Sequence, residues 1–370
     1  MKFVVFGDMC LDNISENDEI KISTELNKVK KENILIANLE CPITNSRDKL
    51  NKDGPNLSTD FDKGKKLIAK LPVDLYTLAN NHILDYGKSG FKDTITVLEN
   101  TSKNYCGAGL NINDADNAFL YQNNDEKVAI VNVAESEYCL ANDYGFGASS
   151  LDALKLLKRI KELKNKNFIC IVIVHGGNEH YKYPSPRFKS LMHFIIDCGG
   201  DVVITHHTHN ASGYEFYEGK PIFYSLGNFI FKRNSMPDYW YNGHAVEINT
   251  KNLKDFTIHP YIQGKNDNIF EFLDKEKKQK YIHELNKISE IITNDALLKK
   301  EWDSYIERKS YSYLSWIYGL TKVERIFFKV TGISRMNFLS KQKKLMINNL
   351  IQCESHHDLL LDVLRKNHAK

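Results

Sequence analysis

The chain has no Cys-x-x-Cys pair, and its seven cysteines are odd in number and scattered from Cys10 to Cys353. That spacing excludes a zinc ribbon and offers no disulfide framework, so a reducing compartment is expected. No stretch of about 18 uncharged apolar residues occurs, which is the length a spanning helix needs. The first apolar run, Phe3-Val4-Val5-Phe6, is broken by Asp8 before it reaches the length of a signal-peptide core. The expected address is therefore the cytoplasm. Repeats and long low-complexity tracts are lacking too. So is a large overall charge: 50 Lys/Arg against 47 Asp/Glu leave +3. No nucleic-acid partner is expected.

What is present is ordinary for a globular protein. The 370 residues are 42% hydrophobic and 26% charged, enough for a large core in about one to three domains. The charge is unevenly spread. From Lys265 onward there are 20 Lys/Arg against 14 Asp/Glu, and before it 30 against 33. A mildly acidic front part suits a metal site, whereas a basic tail suits an anionic polymer or membrane surface.

Apolar runs alternate with helical patterns. Residues 3–6, 34–39 and 74–79 read as strands, and 61–71 and 88–99 as helices, with a charged helical segment between the first two strands. Residues 118–121 and 127–134 flank the polar turn Asn123-Asn124-Asp125, a hairpin signal. Residues 151–163 repeat Leu and Ile at helical spacing. The β-branched run 169–174 marks a strand buried on both faces. A helix over 188–196 and a strand over 201–205 follow. Then the grammar changes. Residues 214–217 and 221–226 bracket Glu218-Gly219, and 245–249 and 256–262 add strands without helices between them. Alternating α/β giving way to antiparallel β implies two sheets packed face to face. Beyond Gln263-Gly264 the strand patterns stop, and residues 274–292, 296–308, 321–330, 340–351 and 356–364 read as helices. The expected domains are therefore 1–263 and a basic helical region, 264–370.

Five polar words stand directly after strand patterns: Gly7-Asp8, Asn38-Leu39-Glu40, Asn80-Asn81-His82, His175-Gly176-Gly177 and His206-His207-Thr208-His209. Asp8, at a Gly turn, suits a cation ligand or a solvated cap. Cys10 reads as a soft ligand or a small buried residue. Glu40 can bridge two cations about 3.5–4 Å apart, or pair with a basic neighbour. Asn81 offers a hard, neutral amide oxygen, unless the word is a plain turn. The adjacent His82 can point at a substrate, as a cation or as a proton donor to a leaving group. Asp85 can orient that imidazole. His175 leaves a buried strand into glycines that permit close backbone approach. Glu179 either bonds a ligand histidine or faces solvent. His207 and His209 can present imidazoles to adjacent cations, while His206 is better suited to orienting a phosphate or a neighbour. His180, His193, His244, His259, His283, His356, His357 and His368 lack such context and read as structural. Imidazole plus oxygen donors favour Mn²⁺, Fe²⁺ or Zn²⁺. Two such ions activate water and clamp an oxyanion, the requirement of phosphoester hydrolysis.

In sequence order, Phe6-Gly7-Asp8, Ala37-Asn38-Leu39-Glu40, Leu78-Ala79-Asn80-Asn81-His82 with Asp85 and Gly87, and His175-Gly176-Gly177 with Glu179 are followed by further matching words. These are Gly200-Asp201 leading into His206-His207-Thr208-His209, and Tyr224-Ser225-Leu226-Gly227-Asn228-Phe229. Together they resemble the CapA-type capsule and poly-γ-glutamate biosynthesis proteins of the calcineurin-like metallophosphoesterase superfamily. The resemblance covers residues 2–233 and extends through the strands to 262. It implies a four-layer α/β/β/α sandwich with a C-terminal helical appendage. It also implies two divalent metal ions: Asp8 and His209 on one, Asn81, His175 and His207 on the other, Glu40 bridging. His82 would face the leaving group. Two departures stand out. The superfamily usually carries His where Cys10 stands, and bridges with Asp where this chain has Glu40, the variant expected of the CapA branch. Thr208 replaces a frequent Pro. Asn228 orients a ligand or satisfies a turn.

The preferred expectation is a dinuclear metal-dependent phosphoester hydrolase acting in capsule, exopolysaccharide or polyglutamate biosynthesis. Its partner would be a phosphorylated small molecule or surface-polymer intermediate. The alternative is a non-catalytic, metal-containing binding or assembly factor for an acidic surface polymer, motivated by Cys10 and the basic tail. Amide chemistry on a glutamyl polymer is a third possibility. In the tail, aromatics beside Arg308 and Lys309, among them Tyr311, Tyr313, Trp316 and Tyr318, suit either peripheral membrane contact or packing of a helical appendage.

Overall fold

The structure is a computed structural model that describes residues 1–31, 33–123, 125–141, 145–265, 268–317, 319–331 and 340–368. Contacts divide the chain into two compact units, Met1–Lys299 and Lys300–Lys370. Tyr318, one of the tail aromatics, and Asn124 of the hairpin turn lie outside the described residues.

The first unit is built on strands β1 (Lys2–Cys10), β2 (Ile34–Leu39), β3 (Leu75–Thr77), β4 (Asn104–Cys106), β5 (Ala108–Gly109), β6 (Phe119–Gln122), β7 (Lys127–Ala134) and β8 (Gly147–Ala148). It continues with β9 (Ile169–His175), β10 (Val202–His206), β11 (Tyr214–Tyr217), β12 (Lys220–Phe223), β13 (Asn228–Phe231), β14 (Asn242–Asn249), β15 (Phe256–Lys265) and β16 (Asn268–Phe272). One sheet has the order β16-β15-β14-β1-β2-β3-β4, with β13 also paired to β1. A second has the order β11-β12-β10-β9-β7-β6, and β5 and β8 form a small ribbon.

The helices between strands are α1 (Glu16–Lys30), α2 (Phe61–Lys70), α3 (Gly87–Asn100), the single turn α4 (Ile112–Ala115), α5 (Ala153–Asn165) and α6 (Pro186–Asp197). Their starts are written in the sequence. Ser15 and Asp18 form a capping box, Asp60 and Asp152 cap α2 and α5, and Ser185 caps α6 with Pro186 in its first turn. Alternation then sorts the core. Val4 and Phe6 of β1 pack with Ile22, Leu26, Leu67, Ile68, Phe91 and Val97 on the helical side of the first sheet. Phe3 and Val5 point the other way, onto Ile130, Ile171, Ile173 and Ile204 of the second sheet. Helices α5 and α6 lie against β9 and β10. The result is the expected α/β/β/α sandwich.

Two expectations need correction. The third strand is Leu75–Thr77, shorter than 74–79, because the chain then turns away: Ala79 N–H donates to Asn132 Oδ1 at 2.7 Å on the opposite sheet. The strand pattern also does not stop at Gln263-Gly264. β15 runs to Lys265 and pairs antiparallel with β16. Ile269 and Phe270 of β16 are buried in the same core as Phe6, Phe229 and Tyr261. Gly264 has φ +61, and a Cβ there would sit 3.0 Å from Lys232 Cα. It serves a close approach inside the sheet rather than a linker. Helix α7 (Lys275–Thr293) packs against β11 and β15, with Ser289 Oγ accepting from Tyr214 N–H at 2.9 Å. It belongs to the first unit, not to an appendage.

The helices that follow are α8 (Asp295–Ile317), α9 (Lys322–Thr331), α10 (Lys341–Gln352) and α11 (Glu354–His368). The second unit holds the later part of α8 and all of α9 to α11. Among the described residues no helix is long and apolar enough to cross a membrane.

Candidate metal centre

Strands β1 and β2 of one sheet run parallel to each other, as do β9 and β10 of the other, and they end at one edge of the sandwich. Carboxyl ends of such strands are where α/β proteins place their chemistry. In register, Asp8 faces Asn38 and His175 faces His206. The close approach of β1 to the chain entering its neighbour β13 requires glycine. A Cβ on Gly7 would stand 1.8 Å from the carbonyl oxygen of Gly227, while Asp8 N–H donates to that same oxygen at 3.2 Å.

Six of the expected donors gather there. Asp8, Glu40 and His209 each offer an atom within 4.8 Å of the others, and so do Glu40, His175 and His207. Glu40 belongs to both groups. Asn81 Oδ1 lies 3.0 Å from His175 Nε2, and His207 Nδ1 lies 3.1 Å from the same nitrogen. Glu40 Oε1 is 3.6 Å from His175 Nε2 and 3.8 Å from His209 Nε2.

The electrostatics of this pocket are those of a site built for cations. Glu40 is fully buried, and neither carboxylate oxygen has a hydrogen-bond partner. Burial, and then the neighbouring Asp8, hold its carboxyl well above the ordinary range. Burial likewise pushes Asp8 up to about 7, although Asn38 and His207 N–H stabilise its ionised form. Burial pushes His207 down to about 3, and burial with neighbouring imidazoles holds His175 and His209 well below their usual value. Unprotonated imidazoles and an unpaired carboxylate are what divalent cations require of their ligands. An orphaned buried carboxylate is otherwise destabilising by several kcal/mol. The donor set therefore fits a metal, and imidazole with oxygen suits Mn²⁺, Fe²⁺ or Zn²⁺.

Surrounding groups fix the donors. Asn38 Nδ2 donates to Asp8 Oδ1 at 2.7 Å and lies 3.3 Å from His175 Nδ1. Asn80 braces the segment through Leu39 O, at 2.9 Å, and through its own Oδ1, which accepts from His82 N–H at 3.1 Å. His207 and His209 have φ +95 and +54, conformations that cost about 1–3 kcal/mol each and persist at functional sites. Asn228 Oδ1 lies 2.8 Å from His209 Nδ1, and its amide donates to Trp240 O at 3.1 Å. That leaves His209 Nε2 turned to Glu40. Asn228→Ala is expected to weaken metal binding about 10–100-fold, as loss of such supporting bonds does, measurable by competition with a chelator.

His82 is buried beside this cluster, with Nδ1 2.7 Å from Asp85 Oδ2. Asp85 is held in turn by Leu57 N–H at 2.6 Å and by an ion pair with Lys52. Lys52 Nζ also lies 3.3 Å from His82 Nδ1.

The other expected residues are placed differently. Cys10 is buried in a side cluster with Cys41, Phe231, Trp240 and Tyr241, with Arg233 Nη2 3.8 Å from its sulfur. Cys10 stands two residues after Asp8 on the same strand but belongs to neither donor group. Burial holds its thiol well above the ordinary value. His206 shares the face of Val202 and Ile204, which lie between the sheets, and belongs to neither donor group. Glu179 is exposed at the rim, 4.0 Å from His180 Nε2.

Four residues escaped the sequence reading. Lys52 sits in a loop without periodicity, and nothing in the sequence marks it. His180, read as structural, lies with its ring 6.0 Å from that of His209 and 6.2 Å from Trp240. Trp240 is 4.9 Å from His209. Asn132 carries a signal, a polar residue inside the apolar strand β7. It bridges the sheets by accepting from Ala79 N–H and donating to Ile173 O at 3.1 Å.

A four-layer α/β sandwich with clustered, buried candidate metal ligands at its strand ends defines the class of protein. The family described as "Bacterial capsule synthesis protein PGA_cap" matches residues 3–233, and the chain belongs to that family. It is 35% identical over 173 residues to "Capsule biosynthesis protein CapA" of Bacillus anthracis, covering 45% of this chain and 42% of that one. It is 30% identical over 202 residues to "PGA biosynthesis protein CapA" of Bacillus subtilis (strain 168), covering 53% and 52%. A "Probable polyglutamine synthesis accessory protein" of Mycobacterium tuberculosis is 28% identical over 166 residues, covering 41% and 44%. The chain thus matches about half the length of these curated relatives or less. A solved structure, TT1561 of Thermus thermophilus, is similar at a TM-score of 0.40 with 9% identity, covering 70% of this chain and 97% of that one.

Proposed function

We propose that this protein is a dinuclear metal-dependent phosphoester hydrolase acting in capsule, exopolysaccharide or polyglutamate biosynthesis. The observation that carries the reading is Glu40: a buried carboxylate without hydrogen bonds, shared by two groups of donors. In this reading Asp8 and His209 would hold one ion and Asn81, His175 and His207 the other, with Glu40 available to both. Such a pair, when bound, lowers the pKa of a water and neutralises charge developing on a phosphoryl group.

The chain's own residues supply the rest. Asn38 and Asn228 aim Asp8 and His209. The burial of all four imidazoles and both carboxylates excludes bulk water, which strengthens every charge interaction in the pocket. With His82 Nδ1 engaged by Asp85, Nε2 is the atom left to give a proton to a departing oxygen. The setting in surface-polymer assembly rests on the family and on the names of the Bacillus relatives.

A panel of phosphomonoesters, phosphodiesters and sugar phosphates with added Mn²⁺ tests the reading. Turnover that is lost on chelation, restored by metal and absent from His207→Ala is the expected outcome. Binding of an acidic polymer by the metal-loaded protein, with no hydrolysis of any ester, supports a non-catalytic assembly factor instead.

A further inference from the structure

Most of the large exposed apolar side chains among the described residues belong to the second unit: 15 of the 22 lie in Lys300–Lys370. Helix α9 presents Val323, Ile326 and Val330, at helical spacing on one face and 76%, 58% and 81% exposed. At the end of α8, Trp316 and Ile317 are 54% and 47% exposed. In α10, Leu345 and Met346 stand out as well, and none of its residues is buried. Ordinary soluble surfaces scatter such residues singly; collected ones mark a site of contact.

The charge around them says what makes that contact. Between Arg308 and Lys344 the chain carries nine Lys/Arg and a single acid, Glu324. On α9, Lys322 and Arg325 occupy the stripe next to the apolar one. A second copy of this chain would bring the same positive charge to the contact, which opposes self-association. An anionic surface is complementary to it. No helix of the described residues is long and apolar enough to span a bilayer, so the apolar side chains fit the depth of an interface and not its full thickness. Basic, amphipathic helices with exposed Trp, Ile and Val bind in that way.

We propose that the second unit docks on a lipid surface rich in anionic headgroups, with α9 lying in the interface plane. Val323, Ile326 and Val330 enter the acyl boundary, and the flanking Lys and Arg face the phosphates. The inference is independent of the chemistry proposed for the first unit.

Flotation of the full chain with vesicles tests it. With equimolar phosphatidylcholine and phosphatidylglycerol the protein should rise with the lipid, and with phosphatidylcholine alone it should stay below. Binding should weaken as salt is raised, since exposed charges are screened beyond a Debye length of about 8 Å at physiological ionic strength. The double substitution Val323→Asp and Val330→Asp should lower the partition coefficient about tenfold or more. Both positions are exposed, so the far-UV circular dichroism and the melting midpoint should be unchanged. The proposal is overturned if the wild type fails to float with either vesicle, or if the double substitution leaves flotation intact. It is overturned equally if the native chain forms a concentration-dependent dimer that the same substitutions abolish.

Discussion

Glu40→Gln raises the melting midpoint of the metal-stripped protein and at the same time removes its response to metal. The two effects have one cause. In the metal-free chain Glu40 is a buried carboxylate whose oxygens no donor satisfies, close to a second buried carboxylate at Asp8. Replacing it with a neutral amide of the same shape relieves that repulsion and desolvation, a gain of about 1–3 kcal/mol. With metal present the sign reverses. Wild type gains stability by binding, by about 2.7 kcal/mol when the free ion is a hundredfold above its dissociation constant. The variant, lacking the oxygen shared by both donor groups, gains little. Calorimetry with chelator and then with Mn²⁺ gives both numbers. A variant less stable than wild type without metal, or equally responsive to metal, would show that Glu40 has a purely structural role. A stabilising substitution that destroys function is the usual sign of a site whose strain serves a ligand.

His82→Ala lowers turnover about 10²–10⁴-fold while leaving metal content unchanged, the range expected when a positioned proton donor is lost. The geometry separates the two properties. His82 bonds Asp85 and lies near Lys52, whereas the donor groups are completed without it. Asp85→Asn should give a smaller loss of the same kind, because Asp85 orients the ring without facing the substrate. Rates on a phosphodiester, measured beside metal content by mass spectrometry, decide the matter. If His82→Ala loses metal together with activity, then His82 is part of the ligand shell and the division of labour argued here is wrong.

Much of the candidate donor cluster was legible in the sequence because its residues follow a local rule. Asp8, Glu40, Asn81, His175, His207 and His209 each sit at the end of a short apolar run, and parallel strands deliver their carboxyl ends to one edge. What could not be read depends on long-range placement. Lys52 reaches Asp85 only because the preceding loop is pinned there, with Leu50 N–H on Asp85 O at 2.8 Å and Asn56 Nδ2 on the same oxygen at 2.8 Å. Cys10 has the spacing of a ligand, but it packs with Cys41, Phe231, Trp240 and Tyr241, residues distant in the sequence, and joins neither donor group. His180 is brought back to His209 by its own left-handed backbone, φ +63, in the turn after β9. The fold shows the same pattern. The alternating α/β part was visible in its periodicity, whereas β16 was hidden behind Gly264, whose positive φ resembles a stop signal and is a kink within a sheet. Only the burial of Ile269 and Phe270 reveals that the strand belongs to the core.

Anomalous diffraction from crystals soaked in Mn²⁺ tests the central claim most directly. Two peaks are expected about 3.5–4 Å apart, on either side of the Glu40 carboxylate, one beside Asp8 and His209 and the other beside Asn81, His175 and His207. A map with no peak among these residues, collected from protein saturated with the metal, would contradict the account.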